Sequence, residues 1–106
     1  MKGDRLGEFE EFALLAVCAL RDQVYGVPVQ RFVESATGRR VAMGAVYAAL
    51  GRLEDKGFVR SEMSDAIAQR GGKSRRLYHV TPLGLRTARE LRRVRDKIWD
   101  AIEGRS

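Results

Sequence analysis

Residues 44–59 read "GAVYAALGRLEDKGFV". At 100° per residue, Val46, Ala49, Leu50 and Leu53 gather on one side as a core stripe. The opposite side carries Gly44, Ala48 and Gly51, followed by Asp55, and Tyr47 and Arg52 flank it. The stretch is therefore a helix with one face nearly stripped of side chains. Glycine inside a helix costs about 0.5–1 kcal/mol relative to alanine. A face that carries two glycines and builds no core must serve another purpose. A helix that enters the DNA major groove has such a purpose, because its backbone must come close to base edges and phosphates. Packing against another helix also favours small residues, so both uses stand at this point.

Downstream, "FVRSEMS" (58–64) is strand-like, and "DAIAQRGGKSRR" (65–76) has no hydrophobic period and reads as a loop. "LYHV" (77–80) alternates as a returning strand. Thr81 and Pro82 mark a helix start, an N-cap followed by a proline at the first helical position. A long helix then runs over about 82–103. Upstream, residues 8–21 form a helix with a stripe of Phe9, Phe12, Ala13, Ala16, Val17 and Leu20, widened by Leu14 and Leu15. Glu8, Glu10 and Glu11 lie in its first turn, where the helix dipole favours negative charge. A second helix follows the break at Gly26, with Pro28 in its first turn and Val29, Phe32, Val33 and Ala36 as its stripe. Gly38 ends it, and the link "RRVA" leads to the helix near 43–56, which stops at Gly57.

The expected fold is mainly α with a small antiparallel β-hairpin: a winged helix-turn-helix plus one long C-terminal helix. Residues 1–81 would form the DNA-binding part and 82–106 a dimerisation helix, within one structural domain overall. The final helix carries Leu91, Val94, Ile98 and Ile102 as a stripe, with Trp99 and Ala101 beside it. Nothing in so small a chain would cover that stripe, and a symmetric homodimer would.

The 106 residues carry a net charge of +6, unevenly spread. Residues 1–38 sum to −2, 39–97 to +9 and 98–106 to −1, which suggests one oriented basic face suited to a polyanion. The loop contributes Arg70, Lys73, Arg75 and Arg76, with Ser74 among them and Gly71-Gly72 for a tight tip. Arg39 and Arg40 add charge at the link between helices. Such a basic wing suits phosphate contact or insertion into a minor groove.

Enzyme chemistry finds little support. Cys18 and His79 are single, so zinc-type ligand spacing is absent, and Gly71-Gly72-Lys73-Ser74 lacks the upstream glycine and following helix of a phosphate-binding loop. No metal and no cofactor is expected. Cys18 lies in the apolar run "FALLAVCAL", which reads as a buried thiol and is too short to span a bilayer. The start has no basic-then-apolar signal pattern, so no membrane partner is expected and the expected location is cytoplasmic.

Four stretches, "LGEFEEFALLAVCAL" (6–20), "VYGVPV" (24–29), "GAVYAALGRLEDKGFV" (44–59) and "GGKSRRLYHVTPLG" (71–84), together resemble the PadR-type transcriptional regulators. The single C-terminal helix is similar to the short subgroup of that family. The resemblance implies a homodimer with its C-terminal helices packed across the interface. It also implies repression of nearby genes at a pseudo-palindromic operator in double-stranded DNA, relieved by a small molecule. Carried over by position, Met43, Gly44, Tyr47, Ala48 and Arg52 fall on the recognition helix, and Lys73, Arg75 and Arg76 on the wing. Ala42 and Ala45 stand where the family often has serine or threonine, which weakens the helix start by about 1 kcal/mol. Ala48 replaces the usual proline after the motif tyrosine, and Pro28-Val29 replaces a more polar pair. Trp99 has two readings: with its symmetry mate it lines a pocket for a flat aromatic effector, or it anchors the interface. A rival for the whole chain is a winged-helix protein-interaction module without sequence-specific DNA binding, although such a surface has no need of the charge from Arg70 to Arg76.

Overall fold

The computed structural model describes residues 6–64 and 74–104. Six elements follow in chain order: α1 (Glu8–Leu20), α2 (Gly26–Thr37), α3 (Met43–Asp55), β1 (Val59–Met63), β2 (Arg76–Val80) and α4 (Pro82–Ile102). Most boundaries are set by local chemistry. Gly38 caps α2 in the left-handed region at φ 71°, and Gly57 turns the chain out of α3 at φ 81°. At the start of α4 the Thr81 hydroxyl accepts from the Gly84 N–H at 3.0 Å, while Pro82 occupies the first turn.

The core forms where α1 meets α2, α3 and the hairpin. Ala13, Leu14, Ala16 and Val17 of α1 face Val29 and Val33 of α2 and the Val46, Ala49, Leu50 and Leu53 stripe of α3. Phe58, Val59 and Tyr78 close it from the hairpin side. The four stripe residues of α3 are fully buried, so this helix points its only large apolar face inward.

β1 and β2 pair antiparallel, with Val59 opposite Val80, Ser61 opposite Tyr78 and Met63 opposite Arg76. On its other edge, β2 is tied to the α1–α2 link by the Tyr78 N–H, which donates to the Val24 carbonyl at 2.8 Å. Thr81 fixes the root of α4 to the start of the hairpin: its N–H and hydroxyl both donate to the Phe58 carbonyl, and the hydroxyl also reaches the Gly57 carbonyl at 2.7 Å. A Cβ on Gly84 would collide with that Phe58 carbonyl, so glycine is required for the close approach.

Only Gly84 and Ala88 of α4 are buried. Its 21 residues span about 31 Å, and the molecule measures 56 × 29 × 22 Å. Among the described residues no helix is long and apolar enough to cross a membrane.

Two expected stripes differ from the observed packing. Phe32 and Ala36 of α2 and Leu15 of α1 are exposed, whereas Glu10 and Glu11 are buried. Helical period identifies a face but not its neighbour. Instead, Phe12, Leu15, Phe32, Val33, Ala36 and Thr37 surround an apolar groove of about 210 Å³ on α1 and α2. Cys18 is half-buried rather than fully buried, and burial pushes its thiol pKa up.

Candidate nucleic-acid interface

The connection between α2 and α3 is rigid for its length. Gln30 Nε2 donates to the Val41 carbonyl at 2.7 Å, and the Val41 N–H donates to Glu34 Oε2 at 2.8 Å. The Thr37 hydroxyl donates to Val33 O at 2.8 Å and accepts from the Arg39 N–H at 3.2 Å. Three of these bonds tie the turn residues Arg39 and Val41 to side chains of α2, and the fourth seats the Thr37 hydroxyl within α2, so the turn into α3 is held by side chains it does not itself supply. Arg39 and Arg40 remain exposed on this turn, Arg39 lying 3.8 Å from Glu8. Ala42 occupies the N-cap of α3 and makes no side-chain cap bond.

The bare strip of α3 is open. A Cβ added to Gly44 or Gly51 would meet nothing within 4 Å, and Ala48 is exposed between them. No other helix of the described chain packs there, which removes the internal-packing explanation for these small residues. Tyr47 is 50% exposed beside the strip, and Met43 is half-buried at the helix start. The Tyr47 ring lies against Gly26 at the start of α2. A Cβ on Gly26 would fall 2.5 Å from the Tyr47 hydroxyl and 2.8 Å from Met43 Cε. The chain break read at Gly26 is thus also the space that seats Tyr47.

Arg52 has an internal partner that the sequence did not reveal. Its Nε donates to Glu10 Oε2 at 2.7 Å, and Lys56 Nζ donates to Glu10 Oε1 at 2.7 Å. Burial alone would raise the Glu10 pKa, but the hydrogen bonds from Lys56 and Arg52, reinforced by their charge, hold it below the ordinary value. Arg52, expected to face DNA, therefore ties α3 to α1, with about half of its side chain still exposed.

At the base of the wing, Ser74, Arg75 and Arg76 are all exposed. The Arg76 Nη1 donates to Ser61 Oγ at 2.9 Å, and that hydroxyl donates to Glu54 Oε2 at 2.7 Å. The Arg75 guanidinium stacks over the Tyr25 ring, 4.3 Å from its centroid. Arg70 and Lys73, also expected to contact DNA, lie outside the described residues. His79 pairs with Glu62 on the neighbouring strand at 2.9 Å.

On α4, Val94, Ile98, Trp99 and Ile102 are 45–65% exposed, while Leu91 is partly covered. Arg95 reaches the buried Glu11 carboxylate of α1 through two hydrogen bonds of 2.6 and 3.1 Å. Glu10 and Glu11 thus serve as anchors for α3 and α4, a role in addition to their favourable place at the helix N-terminus.

Three helices, a hairpin wing and a trailing helix define a winged helix-turn-helix protein, with the outward face of α3 open. The chain belongs to the PadR-like family of transcriptional regulators, whose model matches residues 14–90. DNA-binding regulation therefore stands at the level of the family. Among solved structures, a PadR family transcriptional regulator from Eggerthella lenta is 25% identical, with a TM-score of 0.68 over 92% of this chain and 84% of that one. A PadR-like regulator from Bacillus cereus is 20% identical, with a TM-score of 0.71 over 91% and 88%. One from Bacteroides fragilis is 19% identical, with a TM-score of 0.74 over 91% and 87%. These last two share the fold. No curated protein sequence matches the chain.

Proposed function

We propose that the protein is a homodimeric, sequence-specific repressor that binds a pseudo-palindromic operator through α3 in the major groove. The observation that carries this reading is the unopposed strip of Gly44, Ala48 and Gly51, bordered by Tyr47. Arg39 and Arg40 on the turn, with Arg75 and Arg76 on the hairpin, supply charge for flanking phosphates. Two-fold symmetry would set the half-sites about one helical turn, or a multiple of it, apart.

The exposed stripe on α4 supports the dimer. Apolar side chains of this size, 45–65% exposed on one helix, gain most by burial against a second copy. The α1/α2 groove around Phe12, Leu15 and Phe32 offers an apolar counterpart within the same chain type. Trp99, 56% exposed, would then sit in the interface, where it either anchors the dimer or faces a flat aromatic effector.

Fluorescence-anisotropy binding to DNA from upstream of the protein's own gene, against random DNA of equal length at two salt concentrations, tests the central claim. Preferential binding that weakens with salt is expected. Equal, weak binding to both duplexes, together with capture of a protein ligand on the α3 face, would replace the repressor by an interaction module. Trp99 emission in a screen of flat aromatic compounds separates a regulated repressor from one controlled only by its own concentration.

A further inference from the structure

The segment Val24-Tyr25-Gly26 makes three contacts in three consecutive residues, each to a different part of the interface. The Val24 carbonyl holds the backbone of β2 through Tyr78. Tyr25 presents its ring to Arg75, and Gly26 makes room for Tyr47 of α3. Arg75 is clamped from the other strand as well. Its N–H donates to Ser64 Oγ at 2.8 Å and its carbonyl accepts from the Ser64 N–H at 2.7 Å. Ser64 thus holds the Arg75 backbone, and the Tyr25 ring lies against its guanidinium.

We propose that Tyr25 is a positioning residue for DNA binding, aiming the Arg75 guanidinium at a backbone phosphate and fixing its place relative to Tyr47. The proposal rests on the DNA-binding reading above. Its chemistry follows from the shape of guanidinium. Stacking uses the flat face of the group, whereas hydrogen bonding uses its N–H edge, so one arginine can rest on a ring and still donate in-plane to a phosphate. A lysine ammonium offers no such division between face and edge. Tyr25 acts as the N-cap residue of α2, in extended geometry at φ −132°, and α2 carries the turn that sets α3. The wing arginine and α3 are thus referenced to adjacent residues, Arg75 to Tyr25 and Tyr47 to Gly26.

A double-mutant cycle on DNA affinity tests this, using anisotropy with the preferred duplex and a thermal melt of each variant. Tyr25→Phe keeps the ring and should bind like the parent. Tyr25→Leu should bind about two- to fivefold more weakly. In an Arg75→Ala background, Tyr25→Leu should have no further effect on binding. An unchanged Tyr25→Leu, or an equal loss with and without Arg75, overturns the proposal. An independent readout needs no substitution. In the free protein the Arg75 side-chain protons should be shifted upfield by the Tyr25 ring current, and resonances at ordinary positions overturn the stacking on which it depends. A parent protein that binds no duplex, with Arg75 still shifted, instead overturns the DNA reading and leaves the stack as a structural feature of the hairpin.

Discussion

Among the described residues, the outward faces of α3 and α4 both lack a partner within the chain, and they are opposites. The outward strip of α3 is stripped to Gly44, Ala48 and Gly51, while the stripe of α4 carries Val94, Ile98, Trp99 and Ile102. A bare, cation-bordered surface admits a partner that must come close and carries negative charge. A surface crowded with large apolar side chains calls for another apolar surface and gains by area. The difference lies in what each helix does with its second face after the first has been spent on the core or on the Glu11–Arg95 tie.

The largest effect should come from breaking the apolar side of this comparison. Ile98→Asp places a charge in the middle of the α4 stripe, where a dimer would desolvate it. Sedimentation equilibrium should show the dimer dissociation constant raised about 100-fold. Operator affinity should fall in step, because one half-site holds a monomer poorly. The thermal stability of the monomeric fold should hardly change, since Ile98 is 55% exposed. A variant that stays dimeric would mean the stripe is not the interface.

Behind the bare side, the order of α3 depends on Glu10. Its carboxyl sits below the ordinary pKa because Lys56 and Arg52 outweigh the effect of burial. A carboxylate with a depressed folded pKa contributes stability that is present above its unfolded value, near 4.5, and lost as pH falls through the lowered one. Glu10→Gln should therefore cost about 2 kcal/mol in urea denaturation at neutral pH. The gap between parent and variant should close in acid below the folded pKa. A gap of equal size at both pH values would assign the effect to packing rather than to charge.

Much of this was legible in the sequence. The element order, the caps at Gly38, Gly57 and Thr81, and the core stripe of α3 all follow from local pattern, because a helix start or stop is decided within a few residues. The bare strip was equally visible, since the absence of side chains is itself a local signal. What was not legible were the long-range charge partners. Glu10 finds Arg52 and Lys56 more than forty positions away, and Glu11 finds Arg95 at 84. Acidic residues at a helix start have a sufficient local explanation in the dipole, which hides the tertiary one. For the same reason Tyr25 passed as part of a motif without a role, because stacking on Arg75 needs the hairpin to bring residues 25 and 75 together. Phe32 and Leu15 fit their helical period yet face an open groove, because periodicity identifies a face but not what packs against it.

The smallest effect should come from refilling the strip by one methyl group, and it is the most discriminating. Gly51 lies inside α3, its added Cβ would touch nothing, and its φ is not in the left-handed region. Gly51→Ala should therefore stabilise the fold by about 0.5–1 kcal/mol, as alanine is the better helix former and no clash opposes it. If the strip were idle, that gain would be the whole result. If DNA comes as close as the strip allows, the same methyl group stands in its path, and specific affinity should fall severalfold while the melting temperature rises. Stability and binding moving in opposite directions would show that the glycine is kept for its partner, since the folded chain alone is better served by alanine. Two gains, or a stability gain with unchanged affinity, would move the recognition surface away from this face of α3.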